Sequence, residues 1–484
     1  MIIKTEKFVY MATLGGTMFS LLSLLYLQQD VYGEDQVPQA TESKEEITDA
    51  STLNIPFEKY QLENGLDVIL SEDHSIPFVQ VNIWYDVGSK DEVEGRTGFA
   101  HLFEHLMFQG SEHYDKDYFA PLQPIGAVVN GTTSFDRTNY FEGVPSEQLP
   151  LALWLESDRM GWLLPALTDD KLKNQQDVVR NERRQRYEVR PYGEVWVWLF
   201  ENLYPAGHPY HIPTIGKHED IENATMTDVQ DFFKKWYPPN NASLVVCGDF
   251  DPAVAKDLIQ KYFGEIPRGE DVSSVTDKTA TLTEEKVVRK TDKVSEDKVW
   301  IAWLTPKTYA PGDAEFDILS NLMTEGKDSI LYKKLVDELQ IAKDVGSFQY
   351  SARLQGQFII TATAASGHTT DELVKEIDAA LKVFKATSAE DEELKAKIEI
   401  SKLNWESNFY NGISTISSKA NILNTYNTFL DNPDYIQQDL QRFLDVTSES
   451  LMQNVNTYLD PTKRVVLHVS PEPPKEENKS ESGD

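Results

Sequence analysis

From Tyr60 to Ser89 apolar and polar positions alternate in two runs, "YQLENGLDVIL" and "IPFVQVNIWYDVGS". Period-two alternation rich in Val, Ile, Tyr and Trp predicts β-structure, and "NG" and "SEDHS" supply the turn signals around it. The pattern then changes. Over residues 99–109, Leu102, Phe103, Leu106 and Met107 recur at helical spacing, with Gly110 as the stop signal. Strand character returns in "AVVNGTTSFDRTNYFEGV", gives way to long helical segments from about 147 to 190, and returns again in "ASLVVCGDF". Strands and helices do not alternate regularly, so the pattern predicts an α+β fold rather than a doubly wound sheet.

The chain also repeats itself. "HLFEHLMFQG" from His101 lies over "DILSNLMTEG" from Asp317, "DKLKNQQDVVRNE" from Asp170 over "EELKAKIEISKLN" from Glu392, and "YPPNNASLVVCGD" from Tyr237 over "YLDPTKRVVLHVS" from Tyr458. The offsets are 317 − 101 = 216, 392 − 170 = 222 and 458 − 237 = 221. Three matches in order at nearly one offset predict two homologous domains in tandem, over 54–266 and 285–472. A charged linker over 267–284 joins them. Residues 34–53 read as an acidic tether, and 473–484 as a disordered tail.

The repeat is asymmetric in its polar residues. His101, Glu104, His105 and Glu182 of the first copy become Asp317, Ser320, Asn321 and Asn404 in the second. A cluster needed only for packing had reason to appear twice, so the asymmetry favours function.

Composition narrows the classes. Lys plus Arg is 46 and Asp plus Glu is 79, so the formal net charge is 46 − 79 = −33. Such a surface repels nucleic acid and anionic membrane faces. Cys247 is the one cysteine, which excludes an internal disulfide framework and leaves a zinc site to His and carboxylate ligands. It reads as a small core residue. At the N-terminus Lys4 and Lys7 precede an apolar run from Phe8 to Leu27, with small residues near Gly33. Residues 1–33 thus have the layout of a signal peptide or membrane anchor, which implies export to the periplasm or cell envelope, with cleavage and retention both open.

On a helix, residues four apart leave the same face, about 40° apart around the axis. His101 and His105 at that spacing can reach one Zn²⁺. Glu104 lies at the edge of their stripe, placed to approach a water rather than the metal. A catalytic zinc takes three protein ligands, so a third must come from elsewhere. Glu182, in the helical "VVRNERRQRYE", is a carboxylate among arginines, read either as a surface salt-bridge residue or as that ligand.

"HLFEH" resembles the His-x-x-Glu-His signature of the inverted zinc peptidases. Glu182, at 182 − 105 = 77 residues beyond His105, has the separation of the third ligand in the pitrilysin and insulinase family, which includes mitochondrial processing peptidase. The resemblance extends through "VVNGTTSFDRTNYFEGVP", "HPYHIPTIGKHEDI" and "YPPNNASLVVCGDFDP". It implies that each domain is a mainly antiparallel sheet packed against helices, the two forming half of a clam-shell chamber. It implies one zinc per chain, held by His101, His105 and Glu182, with Glu104 as general base in hydrolysis of peptide bonds. It also implies that extended peptides add to the edge strand near Asn130 and Gly131.

The chain departs from the family in two places. Gln175 stands where many members carry a second Glu. Val336 and Lys343 stand where full-length relatives carry the Arg and Tyr that stabilise the oxyanion, and Val cannot donate a hydrogen bond. The resemblance therefore points to the zinc-bearing subunit of a two-chain enzyme, with a second subunit supplying the Arg–Tyr pair; a homodimer is the other arrangement. The alternative function is a non-catalytic assembly or scaffold subunit. His113 reads as a loop residue, His208 and His211 of "HPYH" as packing residues, and neither these nor His218 as ligands.

Overall fold

A computed structural model describes residues 53–473. The expected signal or anchor (1–33), the tether short of its last residue, and the tail beyond residue 473 lie outside the described residues. Among the described residues, no helix is long and apolar enough to cross a membrane.

The fold is α+β, built on two sheets. The first contains β1 (Glu58–Gln61), β2 (Asp67–Glu72), β3 (Phe78–Tyr85), β4 (Val128–Thr133), β5 (Thr138–Pro145) and β6 (Ala242–Gly248), in the order β1-β2-β6-β3-β5-β4. The second contains β7 (Lys286–Asp292), β8 (Lys298–Thr305), β9 (Ala342–Tyr350), β10 (Gly356–Ala364) and β11 (Val465–Pro471), in the order β7-β11-β8-β10-β9. In the first, β2 and β6 are parallel and every other pair antiparallel. In the second, β7 and β11 are parallel and every other pair antiparallel. Five strands of the first sheet therefore recur in the second in the same order and sense. That is the internal repeat expressed as topology.

Alternation along the strands decides what each face buries. Val79, Val81, Ile83 and Tyr85 of β3 share a core with Leu102, Phe103 and Leu106 of helix α1 (Phe99–Leu106) and Leu153 of α2 (Leu149–Trp162). On the opposite face Ile69, Val245 and Cys247 pack with Ala420, Leu423 and Tyr426 of the helix Ile416–Leu430. Cys247 is buried there as expected, and burial pushes its thiol up to about 11.

Two local expectations shift. The N-terminal pattern resolves into three strands, because the Asn64-Gly65 turn separates β1 from β2 and Asn64 spends its amide on the carbonyls of Phe263 and Ile266. The helix expected over 99–109 ends at Leu106, since Phe108 and Gln109 already donate to carbonyls three residues back. Gly110 then turns into the left-handed region, φ +88°.

Candidate metal centre

Helix α1 is aimed from its start. The Glu92 carboxylate accepts the backbone N–H groups of Gly98 and Ala100, both at 2.9 Å, and so satisfies donors that a helix N-terminus leaves open. One turn along, the rings of His101 and His105 have centroids 4.9 Å apart and stand nearly perpendicular, at 88°. Facing them is α3 (Asp169–Arg183), whose first turn is capped by Thr168. Its Gln176 side chain donates to the carbonyls of Ile221 and Ala224, both at 2.9 Å, which anchors the helix. Glu182 lies in its last turn, just before a π-helical turn over Arg184–Val189.

The three side chains predicted as ligands come together. Glu182 Oε2 lies 3.2 Å from His105 Nε2, and Glu182 Oε1 lies 3.8 Å from His101 Nε2. One donor atom from each falls within 4.8 Å of the others, and no other trio of His, Cys, Asp or Glu among the described residues does so. Both imidazoles are buried, and His101 Nδ1 has no hydrogen-bond partner. Burial pushes His101 below the ordinary imidazole value, which keeps it in the neutral form that can ligate. Burial pushes Glu182 upward, but His105, His101 and Arg186 outweigh it and hold the carboxyl at about 2. Two imidazoles and one carboxylate suit zinc. Tetrahedral ligands at 2.0–2.2 Å stand about 3.3–3.5 Å apart. The separations of 3.2 and 3.8 Å lie on either side of that. The residues present therefore fit the ion.

Glu104 is also buried and lies beside the trio rather than in it. Its Oε2 accepts a hydrogen bond from Thr133 Oγ1 at 2.6 Å. Gly131 sits against the same side chain, and a Cβ there would lie 3.1 Å from Glu104 Cγ. Asn130, by alternation, lies on the other face of β4, which is the terminal strand of its sheet.

The hairpin joining β4 to β5 is held from both halves. Arg137 donates to Thr132 O at 2.9 Å and lies over the Trp84 ring at 5.0 Å. Asp136 accepts Tyr210 Oη at 2.6 Å and the Arg353 backbone N–H at 3.0 Å. Tyr210 belongs to "HPYH", and His208 Nδ1 accepts the Tyr210 N–H at 3.0 Å. The remaining histidines lie apart from the trio. His113 is in a loop, paired with Asp158 at 2.5 Å, and His218 meets Glu188 at 2.6 Å. Gln175 is buried on α3 and donates to its neighbour Asn174 at 2.9 Å.

The equivalents in the second copy are occupied otherwise. Ser320 Oγ donates to Ser347 O at 2.7 Å, and Asn321 donates to Asp317 O at 3.3 Å. Val336 is half-buried against the core of the second half, and Lys343 is ion-paired with Glu296. Two contacts at the site escaped sequence reasoning, Thr133 and Arg186. Thr133 was findable, because strand alternation puts it on the same face as Gly131.

A twice-repeated α+β scaffold with a His-x-x-Glu-His helix facing a glutamate on a second helix defines the class of inverted zinc-peptidase folds. Family models agree: residues 67–196 match "Insulinase (Peptidase family M16)", and residues 223–400 match "Peptidase M16 inactive domain". The chain belongs to the insulinase family, peptidase family M16. It is 29% identical to the zinc protease PqqE of Helicobacter pylori over 422 residues, 86% of this chain and 93% of that protein. It is 27% identical to the mitochondrial-processing peptidase subunit beta of Saccharomyces cerevisiae over 214 residues, 43% of this chain and 45% of that one. The crystal structure of a protease from Helicobacter pylori superposes with a TM-score of 0.79 at 28% identity, covering 87% of this chain and 100% of that one.

Proposed function

We propose that this chain is a zinc-dependent endopeptidase that cleaves extended peptides or unfolded segments. The observation that carries the reading is the convergence of His101, His105 and Glu182, with donor atoms within 4.8 Å, beside a buried Glu104 that stays outside the trio. His101, His105 and Glu182 would hold one zinc, which supplies Lewis acidity toward water and the peptide carbonyl. Glu104 takes a proton from the attacking water and returns it to the leaving amine. The peptide pairs along the open edge of β4, near Asn130 and Gly131, by strand addition.

Within this reading the oxyanion donors come from a second subunit. Val336 has no donor, and Lys343 is engaged by Glu296. An exported, periplasmic setting fits the N-terminal pattern. The test is Glu104→Gln. Zinc should stay bound at one per chain while peptide hydrolysis, assayed with and without the partner subunit, falls by about 10²–10⁴. A variant that cuts at the wild-type rate removes Glu104 as base. A wild-type chain that binds no zinc points instead to a scaffold subunit.

A further inference from the structure

We infer that Thr133 is the positioning residue for Glu104, so that one strand, β4, both receives the peptide and aligns the base. The inference rests on the peptidase reading and adds to it a residue outside the ligand set.

The geometry is specific. The terminal torsion of a glutamate is broad and roughly two-fold, so the carboxylate needs an outside contact to fix its plane. Thr133 Oγ1 supplies one, donating to Oε2 at 2.6 Å. With Oε2 engaged, Oε1 is the oxygen that takes the proton. Gly131 restricts the same side chain at its stem. The position of its absent Cβ is 3.1 Å from Glu104 Cγ, 3.1 Å from Tyr140 Cδ1 and 3.2 Å from Phe108 Cε2. Residues 131 and 133 share the face of β4 turned to α1, so Glu104 is located by two points of one strand.

That strand is held from behind. Arg137 and Asn139 both engage Thr132, and Asp136 ties the hairpin tip to Tyr210 and Arg353. Its far edge is open. A peptide that pairs there orders the backbone carrying Thr133, and the hydroxyl passes that order to Glu104. The second copy offers an internal comparison. Ser320, at the position of Glu104, also bonds to the strand in the place of β4, but as a donor to the Ser347 carbonyl. The contact between this helix position and the terminal strand belongs to the scaffold, and only the first copy gives it a carboxylate to hold.

The experiment compares Thr133→Val, Thr133→Ala and Thr133→Ser, each alone and combined with Glu104→Gln. Zinc-loaded chains, with partner subunit present, are assayed for kcat and KM on an extended peptide. Bound zinc, and binding of a fluorescent peptide by anisotropy, are measured on the same samples. Val and Ala should lower kcat about 10- to 100-fold, the range for losing a hydrogen bond to a charged group. KM, peptide affinity and zinc content should stay unchanged, and Ser should restore most of the rate. In the Glu104→Gln background the Val change should cost nothing further. A wild-type kcat in both Val and Ala, or an equal loss in the Gln background, overturns the inference alone. Lost peptide affinity or lost zinc in these variants also overturns it, because Thr133 is then a structural residue. If Glu104→Gln itself cuts at the wild-type rate, the peptidase mechanism fails and takes this inference with it.

Discussion

Replacing Glu182 by glutamine keeps the size of the side chain and removes one charge from the ligand trio. One donor atom of each ligand residue already lies within 4.8 Å of the others, so the charge of the donors is the main quantity the substitution changes. A unit charge about 2.1 Å from a dication contributes about 4 kcal/mol even at the dielectric of water, a factor of about 10³ in affinity. At free zinc a thousandfold above the wild-type Kd, bound metal stabilises the wild type by about 4 kcal/mol. The same zinc concentration then equals the Kd of the variant and stabilises it by about 0.4 kcal/mol. All three ligands belong to the first half, but the halves share covering helices, so the described chain forms one unfolding unit. At about 2.1 cal/mol/K per residue, 1 kcal/mol then moves Tm by about 1 °C. Zinc should raise the unfolding transition by about 5 °C in the wild type and by about 0.5 °C in Glu182→Gln. Differential scanning calorimetry with and without a chelator, together with metal analysis after gel filtration, measures both quantities. Glu104→Gln is the control and should behave as wild type. A Glu182→Gln chain that keeps stoichiometric zinc and the full shift refutes Glu182 as a ligand.

Two further outcomes follow from buried and interfacial charges. Arg159 is fully buried, bonded to Glu142 at 3.0 Å and to Glu156, with its guanidinium over the rings of Tyr118 and Tyr140. Arg159→Met leaves those carboxyls without their cation and should cost about 3–5 kcal/mol in urea unfolding, and a loss below about 1 kcal/mol would contradict the pairing. Lys419 pairs with Asp73 at 2.5 Å between the two halves and holds that carboxyl down at about 2, against an ordinary 3.8. A folded-state pKa below the unfolded one stabilises above the unfolded value, so this contribution is complete above about pH 4 and is lost as pH falls toward 2. With the screening of a partly exposed pair it amounts to about 1 kcal/mol. The stability gap between wild type and Lys419→Met should therefore be present at pH 6 and close toward pH 2, and a gap constant down to pH 2 would overturn the assignment.

The parts of the site legible in the sequence were those fixed by local periodicity. His101 and His105 are related by one helical turn, and that relation survives any tertiary arrangement. Glu182 lies on another helix, so only resemblance could bring it to them; periodicity sees no further than its own element. Thr133 fell between the two. Alternation assigns it a face, but the hydrogen bond to Glu104 depends on how α1 crosses β4, which is a matter of packing. The same limit explains the early end of α1. The pattern of Leu102, Phe103, Leu106 and Met107 continues past Leu106, yet the chain tightens there into shorter-range bonds before Gly110 turns away.

The absence of the polar cluster from the second copy, with its scaffold intact, has a packing explanation. Each sheet has two apolar faces, and each half covers only one of its own. The outer face of the first sheet is covered by the helix Ile416–Leu430 of the second half, which lies on β6 and β3. Its Asn424 donates to Asn82 O, and its Asn427 to Ser243 Oγ, both at 2.9 Å. The outer face of the second sheet is covered by α4 (Val195–Leu203) of the first half, on β11 and β8. The two helices begin 416 − 195 = 221 residues apart, the repeat offset itself, and β6 and β3 correspond to β11 and β8. The halves thus exchange equivalent helices. An isolated first half would expose Ile69, Val245 and Cys247, apolar surface that the exchange now removes from water. The exchange constrains the helix and strands of the second copy but places no demand on the positions of Asp317, Ser320, Asn321 and Asn404. The second half also reaches the first near its site, where Arg353 meets Asp136 at the tip of the hairpin that carries Thr133. The second copy therefore serves the site as structure: its helix Ile416–Leu430 covers the sheet behind α1, and Arg353 holds the tip of the hairpin whose strand bonds Glu104.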